Sequence, residues 1–222
     1  MKMNILNLLN EEDAYLYGLL LTDGHCYLQS RNRGRISLEL IDKDIIDKID
    51  ERYEGNTSSR TRDTNFKKNV STFTWRNSKI EFRNELSTYG FPSGNKQYLQ
   101  DVPKVDFNQK GFWRGVVDGN GSLGMTNYPF PFLSLTTKSE SLKNSYLAFL
   151  SHNFEIKKFP KRNKRDSIYN ICLYKEDAQN VSKFLYQKSK LFIRRKYDAY
   201  LLINQWVRPT DMKVRQWLSC HR

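Results

Sequence analysis

The sequence contains an internal repeat, which restricts the chain to folds built from two equivalent halves. The segments Leu16–Gly24 and Trp113–Gly121 have glycines at the same places and mostly apolar residues between them. Both end in a polar residue followed by glycine. Asp23 and Asn120 occupy the same place in the two copies and lie 97 residues apart, about the length of a small domain. The sequence therefore predicts two lobes, residues 1–104 and residues 105–222.

The patterns that follow the two copies also match, and they predict an α+β protein in which each lobe has the order αββαββα. In the first half, strands are predicted near Cys26–Arg31, Arg35–Ile41, Thr57–Arg62 and Val70–Arg76, and helices near Asp42–Tyr53 and Ser78–Tyr89. In the second half, strands are predicted near Leu123–Tyr128, Phe132–Thr137, Glu155–Phe159 and Ile168–Tyr174, and helices near Ser139–His152 and Lys175–Lys188. Pro103 and the polar residues around it predict a linker at Leu99–Gln109.

Strict alternation assigns the faces of the predicted strands. In the first half, the residues expected to face the core are Ile36, Leu38, Leu40, Phe73 and Trp75. The residues between them are polar or charged, so one face of the sheet is predicted to be open.

The net charge favours a polyanionic partner. The chain has a formal net charge of +13, with 16 Lys+Arg and 15 Asp+Glu in residues 1–104 but 21 and 9 in residues 105–222. Neutralising a run of phosphates releases counterions, so nucleic acid is expected ahead of an anionic membrane surface. No apolar run is long enough to span a membrane, and three scattered cysteines predict a reducing, intracellular location without disulfides or zinc.

Each repeated segment is predicted to be an apolar helix with a glycine inside it and a glycine after it. Gly18 and Gly115 would each weaken an isolated helix, so their matching placement suggests a point where two backbones approach closely. The two helices are therefore expected to pack on each other. Gly24 and Gly121 are expected to end the helices in a left-handed conformation. A carboxylate at Asp23 is unfavourable beside a helix C-terminus, and a bound divalent cation such as Mg²⁺ would compensate for it. A solvated Asp-Gly turn is the alternative reading of this tripeptide.

These paired segments resemble the motifs of the LAGLIDADG homing endonucleases, in the monomeric form that carries two motifs in one chain. The resemblance covers nearly the whole sequence, in motif position, repeat order and repeat length. It implies two motif helices packed at a pseudo-twofold axis, saddle-shaped antiparallel sheets lying along double-stranded DNA, and metal-dependent hydrolysis of phosphodiesters at a long site. The differences between the halves imply an asymmetric target, and two motifs in one chain imply a monomer.

The resemblance also implies a set of site residues. Asp23 matches the metal-binding acid of the first motif, with Thr22 as a further ligand, and Asn120 matches the second, with Gly119 beside it. Asn120 departs from the family pattern, because its neutral amide binds a metal more weakly than a carboxylate. Asp118 is a poor replacement, since residues two apart on a helix point in different directions.

Three explanations for Asn120 stay open. It can be a deliberate substitution that prevents cleavage, a natural loss that leaves a binding or nicking protein, or a tolerated variation in which shared metals restore activity. An isolated exchange in an otherwise intact motif favours the first.

Family members also carry a basic residue near the end of each repeat that reaches the active site. Lys96 and Lys196 match that position in the two halves, and they are expected to position water or to stabilise phosphate charge. Ordinary lysines at helix starts are the alternative.

Sequence recognition is expected from the outward residues of the strands. The candidates in the first half are Tyr27, Gln29, Arg31, Arg33, Arg35, Ser37, Glu39, Arg60, Arg62, Thr72, Thr74 and Arg76. The candidates in the second half are Thr126, Tyr128, Phe132, Ser134, Thr136, Asn170, Cys172 and Tyr174, with Lys161, Arg162, Lys164 and Arg165 expected to contact phosphates. The main alternative is a regulator or an intron-RNA maturase that binds without cleaving; a third is a basic protein that coats DNA without sequence preference.

Overall fold

A computed structural model describes residues 5–28, 33–63 and 68–209. The elements of the first lobe are α1 (Glu11–Thr22), β1 (Gly24–Leu28), β2 (Gly34–Leu40), α2 (Lys43–Arg52), β3 (Asn56–Arg62), β4 (Val70–Asn77) and α3 (Ile80–Thr88). Those of the second are α4 (Gln109–Asn120), β5 (Gly121–Met125), β6 (Pro131–Thr137), α5 (Glu140–Phe154), β7 (Tyr169–Tyr174), α6 (Lys175–Tyr186) and α7 (Arg194–Asn204). The predicted α+β class is confirmed.

The two sheets are antiparallel throughout but differ in size. The first has the strand order β1-β2-β4-β3, and the second has the order β5-β6-β7. The order αββαββα is confirmed for the first lobe. For the second lobe it is wrong in two places: within the described residues the segment predicted as a strand at Glu155–Phe159 forms none, and α7 follows α6.

The missing strand has a chemical explanation. Pro160 has no N–H to donate to a ladder, and the lysines at positions 157, 158 and 161 belong to a residue type that is depleted in strands. A single isolated bridge to β7, between Arg162 and Tyr169, follows this segment in the chain. Alternation alone predicted a strand here because it does not account for either effect.

The two motif helices begin with similar caps. The side chain of Asn10 accepts hydrogen bonds from the backbone N–H groups of Glu12 and Asp13 at the start of α1, and Asn108 accepts one from Gly111 at the start of α4. Every residue of α1 from Asp13 onwards is buried, because this helix packs against α4 and against its own sheet.

Close packing of α1 against α4 is confirmed. A Cβ atom at Gly18 would overlap the backbone carbonyl oxygen of Phe112, and one at Gly115 would overlap that of Tyr15. Gly111 is a further contact of this kind that the sequence analysis did not identify. Side chains at these positions would push the helices apart, so both glycines of the repeat are needed for the helix pair.

The left-handed caps predicted at Gly24 and Gly121 are wrong. Gly121 has φ −101° and ψ 172°, and the glycines with positive φ in the described residues are Gly90 and Gly94. Each motif helix instead turns directly into a strand, so tightly that a Cβ at Gly24 would lie 2.5 Å from the carbonyl oxygen of Leu20. Glycine is needed there for space rather than for a left-handed backbone.

One continuous apolar core connects the two lobes through the helix pair. Trp75 packs edge-on against Phe82 in the first lobe, and Trp113 of α4 contacts Tyr146 and Phe149 in the second. Among the described helices, none combines the length and the apolar character that crossing a lipid bilayer requires.

Candidate active site and nucleic-acid interface

The C-terminal ends of the two motif helices lie side by side. Asp23 is the residue at the end of α1, and Asn120 is the last residue of α4. An ideal Cβ at Gly119 would lie 3.4 Å from the carboxyl carbon of Asp23, and it would overlap the hydroxyl of Thr22. The fold therefore brings together the four residues that the sequence analysis assigned to a metal site.

A buried lysine caps each of these helix ends. The Nζ atom of Lys96 donates to the carbonyl oxygen of Leu20 at 2.5 Å. That of Lys196 donates to the carbonyl oxygens of Val117 at 2.7 Å, Gly121 at 2.9 Å, and Asp118. Positive charge at a helix C-terminus offsets the partial negative charge of the free carbonyls.

The two lysines differ in how many donors they use. An ammonium group has three N–H bonds, and Lys196 directs its donors at three carbonyl oxygens. Lys96 makes a single hydrogen bond among the described residues and lines the groove between the sheets. Lys96 therefore has donors to offer a ligand, whereas Lys196 holds the end of α4 together.

Burial also shifts the ionisation of this group of residues. Loss of hydration lowers the pKa of Lys96 to about 7 and that of Lys196 to about 8. Partial desolvation by the surrounding protein raises the pKa of Asp23, although Asp23 remains exposed at the helix end. The positive charges of Lys196, Lys96 and Arg195 act to lower this pKa. Carboxylate and ammonium groups are thus coupled at this site.

Asp118, two residues before Asn120, has a structural role. Its carboxylate accepts hydrogen bonds from the hydroxyls of Tyr15 at 2.8 Å and Tyr186 at 2.6 Å, and from the backbone N–H of Ile193 at 2.8 Å. It is fully buried, which raises its pKa. The structure agrees with the expectation that Asp118 does not replace the missing second acid.

The residues at the helix ends fit a divalent cation only in part. The oxygen donors of Asp23 and Asn120 suit a hard cation, but they supply one negative charge between them. In the described part of the chain no cluster of three His, Cys, Asp or Glu side chains is placed to hold a metal. Phosphate oxygens and water would have to complete the coordination shell.

A groove of about 890 Å³ runs between the two sheets at these helix ends. Its walls include residues from the motif helices, from the linker and from both sheets, among them Thr22, Lys96, Asn120, Thr136 and Ile168. The hydroxyl of Thr136 donates to the backbone carbonyl oxygen of Asn120 at 3.0 Å and joins β6 to the end of α4. The candidate centre therefore opens toward the faces of both sheets.

The strand register places most of the first-half candidates on one face. Tyr27, Arg35, Ser37, Glu39, Arg60, Arg62, Thr72, Thr74 and Arg76 lie on the same side of the sheet, while Arg33 is exposed just before β2. Gln29 and Arg31 lie outside the described residues. The register adds His25, Asn56 and Ser58 to this face, residues that the alternation of β1 and β3 could have identified.

Thr72 and Thr74 do not present a free surface, which corrects the expectation for them. Both are buried, because the longer side chains around them cover the middle of the sheet. The hydroxyl of Thr72 donates to Glu39 at 2.6 Å, and Arg60 forms a two-point ion pair with the same carboxylate at 2.7 Å and 2.9 Å. Arg62 lies 3.5 Å from Glu39. These hydrogen bonds and charges lower the pKa of Glu39.

The face of the second sheet is polar but uncharged. The residues that share it are Ser122, Gly124, Phe132, Ser134, Thr136, Asn170, Cys172 and Tyr174, and Thr126 and Tyr128 follow β5. The positive charges lie beside it instead, in the exposed segment that contains Lys161, Arg162, Lys164 and Arg165. The polar face and the positive charges are therefore separated in this lobe, whereas the first lobe carries arginines on the strands of its polar face.

Comparison with known proteins identifies the fold. No protein-family model matches the sequence, and no curated protein does. The chain is similar to the structure of the homing endonuclease I-WcaI bound to its DNA recognition sequence (TM-score 0.57, 14% identity, covering 87% of this chain and 88% of that one). It is similar to the LAGLIDADG homing endonuclease I-GzeII in complex with its DNA target (TM-score 0.57, 11% identity, covering 96% and 91%). A third similar structure is I-DmoI in complex with DNA and Mn (TM-score 0.50, 16% identity, covering 83% and 100%).

These similarities extend over most of the chain and confirm the resemblance in fold. The protein has the α+β architecture of the two-domain LAGLIDADG homing endonucleases.

Proposed function

We propose that this protein is a site-specific endonuclease of double-stranded DNA in which one of two hydrolytic centres is disabled, so that it cuts one strand. The observation that carries the proposal is the placement of Asp23 against Gly119, the residue before Asn120, at the ends of paired helices, each end capped by a buried lysine. The groove at these ends opens between two polar sheet faces that would lie along the duplex.

The charge distribution supports duplex DNA as the substrate. Arginines lie on the strands of the first sheet and a basic segment flanks the second. A protein that neutralises phosphates in this way binds DNA with an affinity that falls as salt is added. The two faces share few residue types, so the preferred site would be long and asymmetric.

Hydrolysis of a phosphodiester needs an activated water, neutralisation of charge on the phosphate, and a stabilised leaving oxygen. When bound, a divalent cation such as Mg²⁺ would supply charge neutralisation at the phosphate and lower the pKa of water. Asp23, with the backbone of Thr22, would hold this ion, while Asn120 and Gly119 offer only neutral donors. Lys96 can donate to a phosphate oxygen through its remaining N–H groups.

Two differences between the halves favour cutting of a single strand. Asn120 removes the carboxylate from the second centre, and Lys196 directs its donors into the end of α4. Both differences weaken the second centre, whereas Asp23 and Lys96 keep the chemistry of the first.

A second candidate function is binding without cleavage, of DNA or of intron RNA. Asn120 favours it, because one carboxylate can be too little to hold the metal ions that cleavage of both strands needs. Preferred binding of folded intron RNA over duplex DNA would support a maturase, since RNA is recognised through its shape and its 2′-hydroxyls.

The experiment is cleavage of a supercoiled plasmid that carries a site selected by binding from a random duplex library. In Mg²⁺ or Mn²⁺, the wild-type protein is expected to give nicked circles, and Asn120→Asp is expected to give linear DNA. Asp23→Asn serves as the matched control and should leave the plasmid supercoiled while still binding it. Intact plasmid with both the wild type and Asn120→Asp, at a site that both bind, would establish the non-cleaving function instead.

A further inference from the structure

The segment from 155 to 168 precedes β7, the edge strand of the second sheet, and includes the residues 155–159 at which the sequence analysis expected a further strand. Arg162 forms its one bridge to Tyr169, and its Nε atom donates to the carbonyl oxygen of Ser167 at 3.0 Å. The backbone N–H of Asn163 donates to the carbonyl oxygen of Ile168 at 2.8 Å. The bridge joins the segment to the first residue of β7, in the sheet whose open face is proposed to lie on DNA, and the two hydrogen bonds close the turn between residues 162 and 168.

This segment carries the positive charge that the neighbouring sheet face lacks. Six of the nine residues from 157 to 165 are lysine or arginine. The strand residues on the open face of the second sheet include no charged side chain. The segment is therefore the part of the second lobe best suited to lie against phosphates next to that face.

Phe159 lies in the middle of these charges and is 90% exposed, the most exposed large apolar side chain in the described residues. Removing an exposed phenyl ring from water by contact with a partner is favourable and contributes to the free energy of binding. Pro160 follows it and favours an extended backbone at Phe159, which reduces the entropy lost when the ring is held in one place. The ring is thus presented on a restrained backbone, between cations.

We propose that Phe159 is a DNA contact, whose ring stacks on a base or on a deoxyribose at the flank of the site bound by the second lobe. The proposal rests on the DNA-binding function proposed above. The surrounding charges favour a duplex over another partner, because lysines on both sides would repel a second copy of this chain and would bring a polyphosphate backbone to the ring. Apolar side chains inserted between or against bases are a general way for proteins to hold DNA.

The test compares Phe159→Ala with Phe159→Trp in binding to a fluorescently labelled duplex selected with the wild-type protein. Phe159→Ala is expected to raise Kd about tenfold, the size of effect found when an aromatic side chain that stacks on a base is removed. The slope of log Kd against log salt concentration should not change, because no charge is lost. Phe159→Trp should keep the affinity, and the added tryptophan fluorescence should be quenched when DNA binds.

Two controls separate the possible outcomes. Leu9→Ala removes another exposed apolar side chain, 63% exposed, before the N-terminus of α1 and at the opposite end of this helix from Asp23; it should leave Kd unchanged. Lys161→Gln should lower the salt slope by about one if that lysine contacts a phosphate.

An unchanged Kd for Phe159→Ala, in a wild-type background that binds the duplex, overturns the inference and leaves the proposed function standing. Failure of the wild-type protein to bind any duplex overturns both. A loss of self-association in sedimentation, without a change in Kd, would assign Phe159 to contacts between copies of the chain and would also overturn the inference.

Discussion

Asp118 lies two residues before Asn120, the residue equivalent to Asp23, yet the two carboxylates have opposite effects on stability because their surroundings differ. Asp118 accepts three hydrogen bonds inside the core, whereas Asp23 lies exposed at a helix C-terminus that repels it. The same side chain is a structural acceptor at one position and a candidate ligand at the other.

Asparagine substitutions at these two positions are therefore expected to act in opposite directions. Asp118→Asn replaces one acceptor oxygen by an N–H₂ group that faces hydroxyl or N–H donors, and it should lower the free energy of unfolding by about 3 kcal/mol. Asp23→Asn removes an unfavourable charge and should raise it by about 0.5 kcal/mol at pH 7. Urea denaturation of both variants measures this. A larger loss for Asp23→Asn than for Asp118→Asn would contradict the structural role given to Asp118.

The stabilising effect of Asp23→Asn should depend on pH in a defined way. Because the folded protein raises the pKa of Asp23, the folded state holds the proton more tightly than the unfolded chain. Stability from this group is thus highest at low pH and declines as pH rises through the unfolded and then the folded pKa. The gain from Asp23→Asn should accordingly disappear near pH 3, where the wild-type carboxyl is protonated in both states.

Lys96 and Lys196 are expected to titrate far below ordinary lysines. With a pKa of about 7 for Lys96 and about 8 for Lys196, the unfolded chain binds more protons than the folded protein from these values up to about 10.4. The contribution of these residues to stability therefore rises with pH through this window. Carbon-13 NMR of labelled lysine Cε groups should show two lysine signals that titrate at lower pH than the others. Each of these signals should be absent in the corresponding Lys→Met variant. Midpoints above 10 for both would contradict the burial of their ammonium groups.

Glu39 limits the charge that the first sheet can offer to DNA. It holds Arg60 and Arg62 in ion pairs and accepts a hydrogen bond from Thr72. Glu39→Gln should release both arginines, so that affinity for unrelated duplexes increases and the slope of log Kd against log salt becomes steeper. Binding titrations at several salt concentrations measure this, with Ser37→Ala on the same strand as the control. An unchanged slope would show that the arginines contact phosphates despite Glu39.

At the scale of elements, the contact between α1 and α4 depends on backbone approaching backbone. Gly115→Ala would ordinarily strengthen an isolated helix by about 1 kcal/mol. Here the added Cβ would overlap the carbonyl oxygen of Tyr15, so a net loss of about 2–3 kcal/mol is expected from overpacking.

Thermal or urea unfolding of Gly115→Ala measures this loss. Gly124→Ala in β5 is a suitable control, because its Cβ would meet only the ring edge of Phe132, at 3.3 Å. A Gly115→Ala variant as stable as the wild type would show that the two helices can separate at little cost.

At the scale of the whole molecule, the two lobes share one core through this helix pair. We therefore expect residues 5–209 to unfold in a single transition, with a ratio of calorimetric to van't Hoff enthalpy of about 1. The fragment 1–104 should not fold alone, because α1 would expose the face that α4 covers. Two separate transitions in calorimetry would show that the lobes are independent domains.

The sequence by itself determined the two-lobe plan, the polar sheet faces and the residues at the helix ends, since these depend on a repeat and on local periodicity. His25, Asn56 and Ser58 joined the first face only when the register was known, although alternation within β1 and β3 carried that signal. The family resemblance placed Lys96 and Lys196 at the site, and only the structure gave their different use of donors.

Tertiary structure alone decided the features that depend on residues distant in the chain. Glu39 meets Arg60 only after β2 and β3 pair through β4, and Asp118 meets Tyr15 and Tyr186 only after three helices pack. The absence of the strand expected at Glu155–Phe159 is a different case, because Pro160 is a local feature of the sequence that the alternation pattern does not include. Local patterns set which residues form helices and strands, whereas burial, hydrogen bonding and pKa are set by the partners that the fold brings to them.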